Sequence, residues 1–167
     1  RCKSIDYGYA ITSHKSQSSS FDDVAVDMLG FFILNGRSYI QYEYHQDYKE
    51  KDADLFLHCG DICVDSYVYP KVITVRGNND LYNYPIERII NVPGHRILML
   101  HSHTLPFMAR EEALLQRAEE NKCDIVLFGH THIPYLKKVN GVTLLNPGSL
   151  YHNRDGSDIS YAVLRVD

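Results

Sequence analysis

The sequence predicts an α/β fold in which short buried strands outnumber helices. Three observations carry this. Five apolar runs (Leu55–Cys59, Val72–Arg76, Arg96–Leu100, Ile125–Phe128 and Val142–Leu145) are short, bounded by turn residues and lack helical periodicity, so they read as strands buried on both faces. Only two segments carry a convincing amphipathic helical stripe, one beginning near Ser20 and one over Arg110–Asn121. Pro93-Gly94 and Asn140-Gly141 sit between strand-like runs, where hairpin turns belong.

Taken in order, Tyr7–Thr12 reads as the first strand, leading to Ser13-His14. After a polar loop, Ser20 is a good N-cap, and Asp23 three residues on completes a start resembling a capping box. Val24, Met28 and Phe32 then form the inward stripe of a helix that stops at Asn35-Gly36. Ser38–Tyr44 reads either as an edge strand or as the start of a helix running through Lys51. The connection from Asp61 to Val72 is too short for a full crossover helix, and Pro70 closes it. Ile86–Val92 and the run ending at Leu100 make one hairpin. The Arg110–Asn121 helix should turn Ala113, Leu114, Leu115 and Ala118 inward. Tyr135–Val139 and Val142–Leu145 make the second hairpin, and Ile159–Val166 alternates as the last strand. There is no repeat and no linker, so residues 1–167 read as one domain.

Composition excludes several function classes. The 167 residues have a formal net charge of −4, which offers no basic footprint for nucleic acid or an anionic membrane. No apolar run approaches the roughly 18 residues that a membrane span needs, and no signal peptide opens the chain. The four cysteines form no Cys-x-x-Cys pair, so a reducing cytoplasm is the expected compartment. Cys59 and Cys63 flank Gly60-Asp61 and read either as thiolate donors or, for Cys59, as a buried strand residue.

The chemistry lies where the strands end. The five runs deliver, in turn, Gly60-Asp61, Gly77-Asn78-Asn79-Asp80, His101-Ser102-His103, Gly129-His130-Thr131-His132 and Asn146-Pro147-Gly148-Ser149. Open α/β sheets gather ligands at the carboxyl ends of their strands, and histidine is the commonest metal ligand, so this pattern predicts a metal site on one rim. Single residues also have plainer readings. Asn78 and Asn146 fit turns, Asp80 fits an orienting role, and His58 lies inside a strand and fits the core. His45, His95 and His152 have no supporting pattern and read as solvated, while His103 fits either a substrate pocket or a strand cap.

The order Gly-Asp, Gly-Asn-x-Asp, His-x-His, Gly-His-Thr-His, Asn-Pro-Gly-Ser resembles the calcineurin-like metallophosphoesterases, and more closely their small YfcE-type phosphodiesterase branch, over about residues 53–167. The resemblance implies two mixed sheets packed face to face with helices on the outer sides, a four-layer αββα sandwich. It implies a metal-dependent phosphodiesterase in which Asp61, Asn78 and His101 are catalytic and Asp61 bridges two divalent ions. Asn78, His101 and His130 would bind one ion, and His132 the other. Mn is the first choice of metal, with Ni, Co, Fe or Zn as alternatives. A hydroxide between the ions would attack phosphorus in line. Asn79 stands where many members carry a leaving-group histidine, and with His103 it is expected to contact substrate. The family's first motif, Asp-x-His, does not occur in the chain, and His14 is the best donor for that place. The expected partner is a small phosphoester, with no nucleic acid or membrane, and homo-oligomers are compatible. The alternative reading is a catalytically inactive scaffold on the same fold, like the retromer small subunit.

Overall fold

The computed structural model describes residues 54–165 and, by their backbone, 4–9. Its elements are β1 (Ser4–Tyr9), β2 (Phe56–His58), β3 (Val72–Thr74), β4 (Glu87–Val92), β5 (His95–Leu100), α1 (Arg110–Glu120), β6 (Ile125–Phe128), β7 (Tyr135–Val139), β8 (Val142–Asn146) and β9 (Ser160–Arg165). A five-stranded sheet runs in the order β4-β5-β6-β8-β7. It is mixed: β5, β6 and β8 are parallel neighbours, and each outer strand returns antiparallel through a hairpin. The second hairpin turns at Asn140 (φ 51°) and Gly141 (φ 84°), the pair of positive φ values that an Asn-Gly two-residue turn supplies.

Side-chain alternation explains why the central strands are apolar throughout. Successive residues of a strand point to opposite faces. Ile97 and Met99 of β5, Ile125 and Leu127 of β6, and Leu145 of β8 enter one core with Leu57, Val75 and Ala162. Leu98 and Leu100, Val126 and Phe128, and Leu144 enter a second core with Leu114 and Ala118 of α1. The five-stranded sheet therefore lies between a helix and a layer of strands. That layer consists of two small sheets, parallel β2-β3 and antiparallel β1-β9.

The mixed five-stranded sheet, the facing layer of strands and the outer helix agree with the sequence reading. The apolar runs divide between the layers: the Leu55–Leu57 run (β2) and the Val126–Phe128 run (β6) belong to different sheets that share a core. An apolar run records burial, and burial against a facing layer looks the same in sequence as pairing with a neighbour. The first strand begins at Ser4, before the expected Tyr7, and 10–12 of the expected Tyr7–Thr12 lie outside the described residues. The Ser20–Gly36 helix, the Ser38–Tyr44 segment, His14 and His45 lie outside the described residues. Among the described residues, no helix is long and apolar enough to cross a membrane.

Candidate metal centre

Parallel β5, β6 and β8 end on the same edge, which brings His101, His130 and Asn146 together. Asp61 and Asn78 arrive from the loops after β2 and β3. The tightest contacts centre on His101, which is buried. Its Nε2 lies 3.2 Å from Asp61 Oδ2 and 3.1 Å from Asn78 Oδ1. Its Nδ1 lies 2.7 Å from the carbonyl oxygen of Cys59. A carbonyl only accepts, so Nδ1 carries the proton there, and in the neutral ring Nε2 presents a lone pair. Three electron-rich atoms then face one point, an arrangement that calls for a proton or a cation between them. Metal-binding histidines typically donate their second N–H to a carbonyl or carboxylate in this way.

The rest of the predicted set stands around this point. The His130 ring centroid is 5.1 Å from that of His101 and 6.2 Å from that of His103. His101 and His103 are 5.3 Å apart, and His103 Nδ1 is buried without a hydrogen-bond partner among the described residues. His132 is near enough for the charges of His101 and Asp61 to act on it. Among the described residues, no group of three or more His, Cys, Asp or Glu side chains is placed to hold a metal ion. Donors bound at about 2.0–2.2 Å in a tetrahedral site lie roughly 3.3–3.6 Å from one another, so the Asp61–His101–Asn78 spacing is a small adjustment from ligation. The donor chemistry thus fits a borderline divalent ion.

Electrostatics favour the metal-ready protonation states. Burial raises the Asp61 pKa, but with a proton on His101 Nε2 the hydrogen bond to that ring, its charge and two bonds from Asn79 outweigh it and take the carboxyl down to about 2. Burial lowers His130 to about 4, assisted by the charges of His101 and Arg110. His103 and His132 are also lowered, chiefly by burial. Neutral imidazole is the ligating form. Burial, followed by the charges of Asp80 and Asp61, pushes the Cys63 thiol up to about 11, the wrong direction for a thiolate ligand.

The loops hold this arrangement through strained backbone and a buried carboxylate. Asp61 (φ 64°), Ser102 (φ 72°), His130 (φ 70°) and His132 (φ 56°) all sit in the left-handed region, which clusters at functional sites in non-glycine residues. Asp80 is buried and accepts from Asp61 N at 2.8 Å, Gly77 N at 2.7 Å and Cys63 N at 2.7 Å, as its orienting reading requires. A Cβ on Gly77 would collide with the Asp61 carboxylate, and one on Gly60 would lie 2.8 Å from the His101 ring. These glycines let the loops close on the site.

Some residues behave differently from the sequence reading. Asn79, expected to face substrate, donates to Asp61 twice: N to Oδ1 at 2.7 Å and Nδ2 to Oδ2 at 2.7 Å. His95, read as solvated, is half-buried and 2.5 Å from Asp124. His152 is exposed and His58 is buried in β2, as expected. Asn146, read as a turn residue, donates to the Gly129 carbonyl at 3.1 Å and to Thr131 Oγ1 at 3.0 Å, which anchors the His130 loop. The Cys59 carbonyl was missed because a main-chain acceptor has no sequence signature.

Comparison with known proteins gives the family and the fold. A family model described as calcineurin-like phosphoesterase superfamily domain matches residues 37–167. Probable metallophosphoesterase MG207 of Mycoplasma genitalium is 33% identical over 122 residues, covering 70% of this chain and 74% of that protein. Phosphodiesterase YfcE of Escherichia coli is 29% identical over 111 residues, covering 58% of this chain and 54% of that protein. Among solved structures, a predicted phosphoesterase from Streptococcus pneumoniae has TM-score 0.73 at 26% identity, covering 89% of this chain and 86% of that one. A variant of Vps29 from Entamoeba histolytica has TM-score 0.62 at 23% identity, covering 76% and 74%, a likeness of fold alone. Wild-type Vps29 from the same organism, complexed with Zn2+, has TM-score 0.53 at 26% identity, covering 63% of each chain.

Proposed function

Since the chain belongs to the calcineurin-like phosphoesterase superfamily, we propose that it is a metal-dependent phosphodiesterase acting on a small phosphate ester. The observation that carries this reading is the convergence of Asp61 Oδ2, Asn78 Oδ1 and the His101 Nε2 lone pair on one point, with His101 Nδ1 already committed to Cys59. Asp61, Asn78, His101 and His130 would hold one divalent ion, and His132 with Asp61 the other, with His14 completing the second set. The ions, Mn first among them, supply a nucleophile at neutral pH and countercharge for the phosphoryl oxygens. The chain's part is placement. Asn79 fixes the rotation of the Asp61 carboxylate, the Cys59 carbonyl fixes the His101 ring, and Asp80 ties the Asp61 turn to the Asn78 loop. His103 faces the same space and would meet the substrate. With Asn79 turned onto Asp61, no side chain replaces the leaving-group histidine at that position, so esters whose alcohols leave readily are the favoured substrates.

A scaffold function is the second reading, favoured by the absence of Asp-x-His and the fold likeness to Vps29. Metal content alone does not separate the two, because a Vps29 has been crystallised with Zn2+. Turnover does. Hydrolysis of bis(p-nitrophenyl) phosphate in Mn2+ should fall to background in Asp61→Ala, which loses the shared carboxylate. Turnover that is unchanged in that variant, or absent from the folded native protein, would remove the enzyme reading.

A further inference from the structure

The interface between α1 and the five-stranded sheet is not filled beside the candidate centre. Leu114, Phe128, Ile133, Tyr135 and Leu144 wall a cavity of about 220 Å³, and Thr131 and Arg110 belong to its lining. None of the candidate ligands lines it, but Thr131 lies between His130 and His132 in the chain, and Arg110 is near enough for its charge to act on His130. Its walls are apolar. The Thr131 hydroxyl accepts from Asn146 Nδ2 and Ile133 N. Glu111 also lines it but is committed to the Tyr135 hydroxyl and Lys137 Nζ. Arg110 is not committed in that way. Its guanidinium lies 5.6 Å from the centroid of the Phe107 ring, and its buried Nε has no hydrogen-bond partner among the described residues.

We propose that this cavity is a subsite for the ester group of the substrate, receiving one aromatic ring while Arg110 anchors the phosphoryl oxygens at its edge. The proposal rests on the phosphoesterase reading and names its substrate class. Size supports a single ring, since a dry apolar cavity of about 150 Å³ takes benzene. Chemistry supports an unsubstituted one. A sugar or a nucleobase would leave its polar groups unpaired against these walls. The Phe128 and Tyr135 rings, 5.9 Å apart at 65°, offer the edge and face contacts that aromatic groups prefer. Arg110 meets a phosphoryl group with several N–H donors at once.

The test is calorimetric binding of phenylphosphonate and methylphosphonate to the full chain loaded with Mn2+, with no turnover involved. Phenylphosphonate should bind about tenfold or more tightly, given what small apolar groups contribute in such pockets. Ile133→Trp, at an exposed position in the cavity wall, should fill the space and erase the phenyl preference, bringing the phenylphosphonate affinity down to that of methylphosphonate. Arg110→Ala should weaken both ligands by a similar factor and preserve their ratio. Equal affinities in the native protein, a preference that survives Ile133→Trp, or no binding of either ligand would overturn the proposal and leave the cavity as a packing gap. A phenyl preference in a protein that turns over no diester would keep the subsite and remove the phosphoesterase reading. Turnover without the preference would do the reverse.

Discussion

A neutral imidazole donates through one nitrogen only, and in His101 the Cys59 carbonyl takes that donor. The remaining lone pair points at two oxygens that have no proton to offer it. A proton or a cation relieves that conflict, and Asn79 fixes where it must sit by gripping both oxygens of Asp61. Asn79→Ala keeps the main-chain bond and loses the side-chain one. It should weaken Mn2+ binding by roughly 10–100-fold, as loss of an orienting partner does. An unchanged affinity in a metal titration would mean that Asp61 needs no clamp. At this scale the sequence named the residues that the structure brings together, because Asp, Asn and His at strand ends are chemically conspicuous. It could not show the Asn79 grip, since an amide after Gly-Asn reads equally well as facing substrate or facing Asp61.

Elements carry the donors to the rim, and two loops tolerate no extra atom. In Gly77→Ala the new methyl would overlap the Asp61 carboxylate and its main-chain nitrogen. The variant should lose Mn2+ binding while retaining its circular dichroism. Gly141→Ala is the matched control. It sits at φ 84° in open space, so it should lower stability by about 1–2 kcal/mol in urea unfolding and leave metal binding intact. Retained metal binding in Gly77→Ala would refute the close approach. At their amino ends β5 and β6 are tied by Asp124, which accepts from Arg96 N at 2.8 Å and lies 2.5 Å from His95 Nδ1. Burial raises the Asp124 pKa, but the bonds to Arg96 and His95 win and set it below the ordinary carboxylate value. A depressed folded pKa means that the stabilising contribution is present above the unfolded pKa and lost as pH falls through the folded one. The Tm gap between native protein and Asp124→Asn should therefore be largest near neutral pH and close in the acid range below about 4. A gap that widens on acidification would reverse the sign. Both hairpins and α1 were legible, because Asn-Gly, Pro-Gly and the Leu114/Ala118 stripe are local signals. The distribution of strands between sheets was not, since it depends on pairing across the chain.

For the whole molecule, one five-stranded sheet has two apolar faces, closed by α1 on one side and by the β2-β3 and β1-β9 layer on the other. That sandwich explains why the central strands are largely apolar on both faces and why their site residues collect at the ends. The family could be read from those ends in order. The cavity beside them could not, because its walls come from α1, β6, β7 and β8 and resemble ordinary core residues in sequence. The central claim is that this rim hydrolyses phosphodiesters only with a divalent ion in place. Its most direct test is a titration of chelator-treated protein with Mn2+, following the initial rate of bis(p-nitrophenyl) phosphate hydrolysis. The account predicts no turnover without metal and a rate that rises with added Mn2+ to a plateau as the site fills. A rate independent of Mn2+, or no turnover at any Mn2+ concentration in a folded and metal-loaded protein, would contradict it.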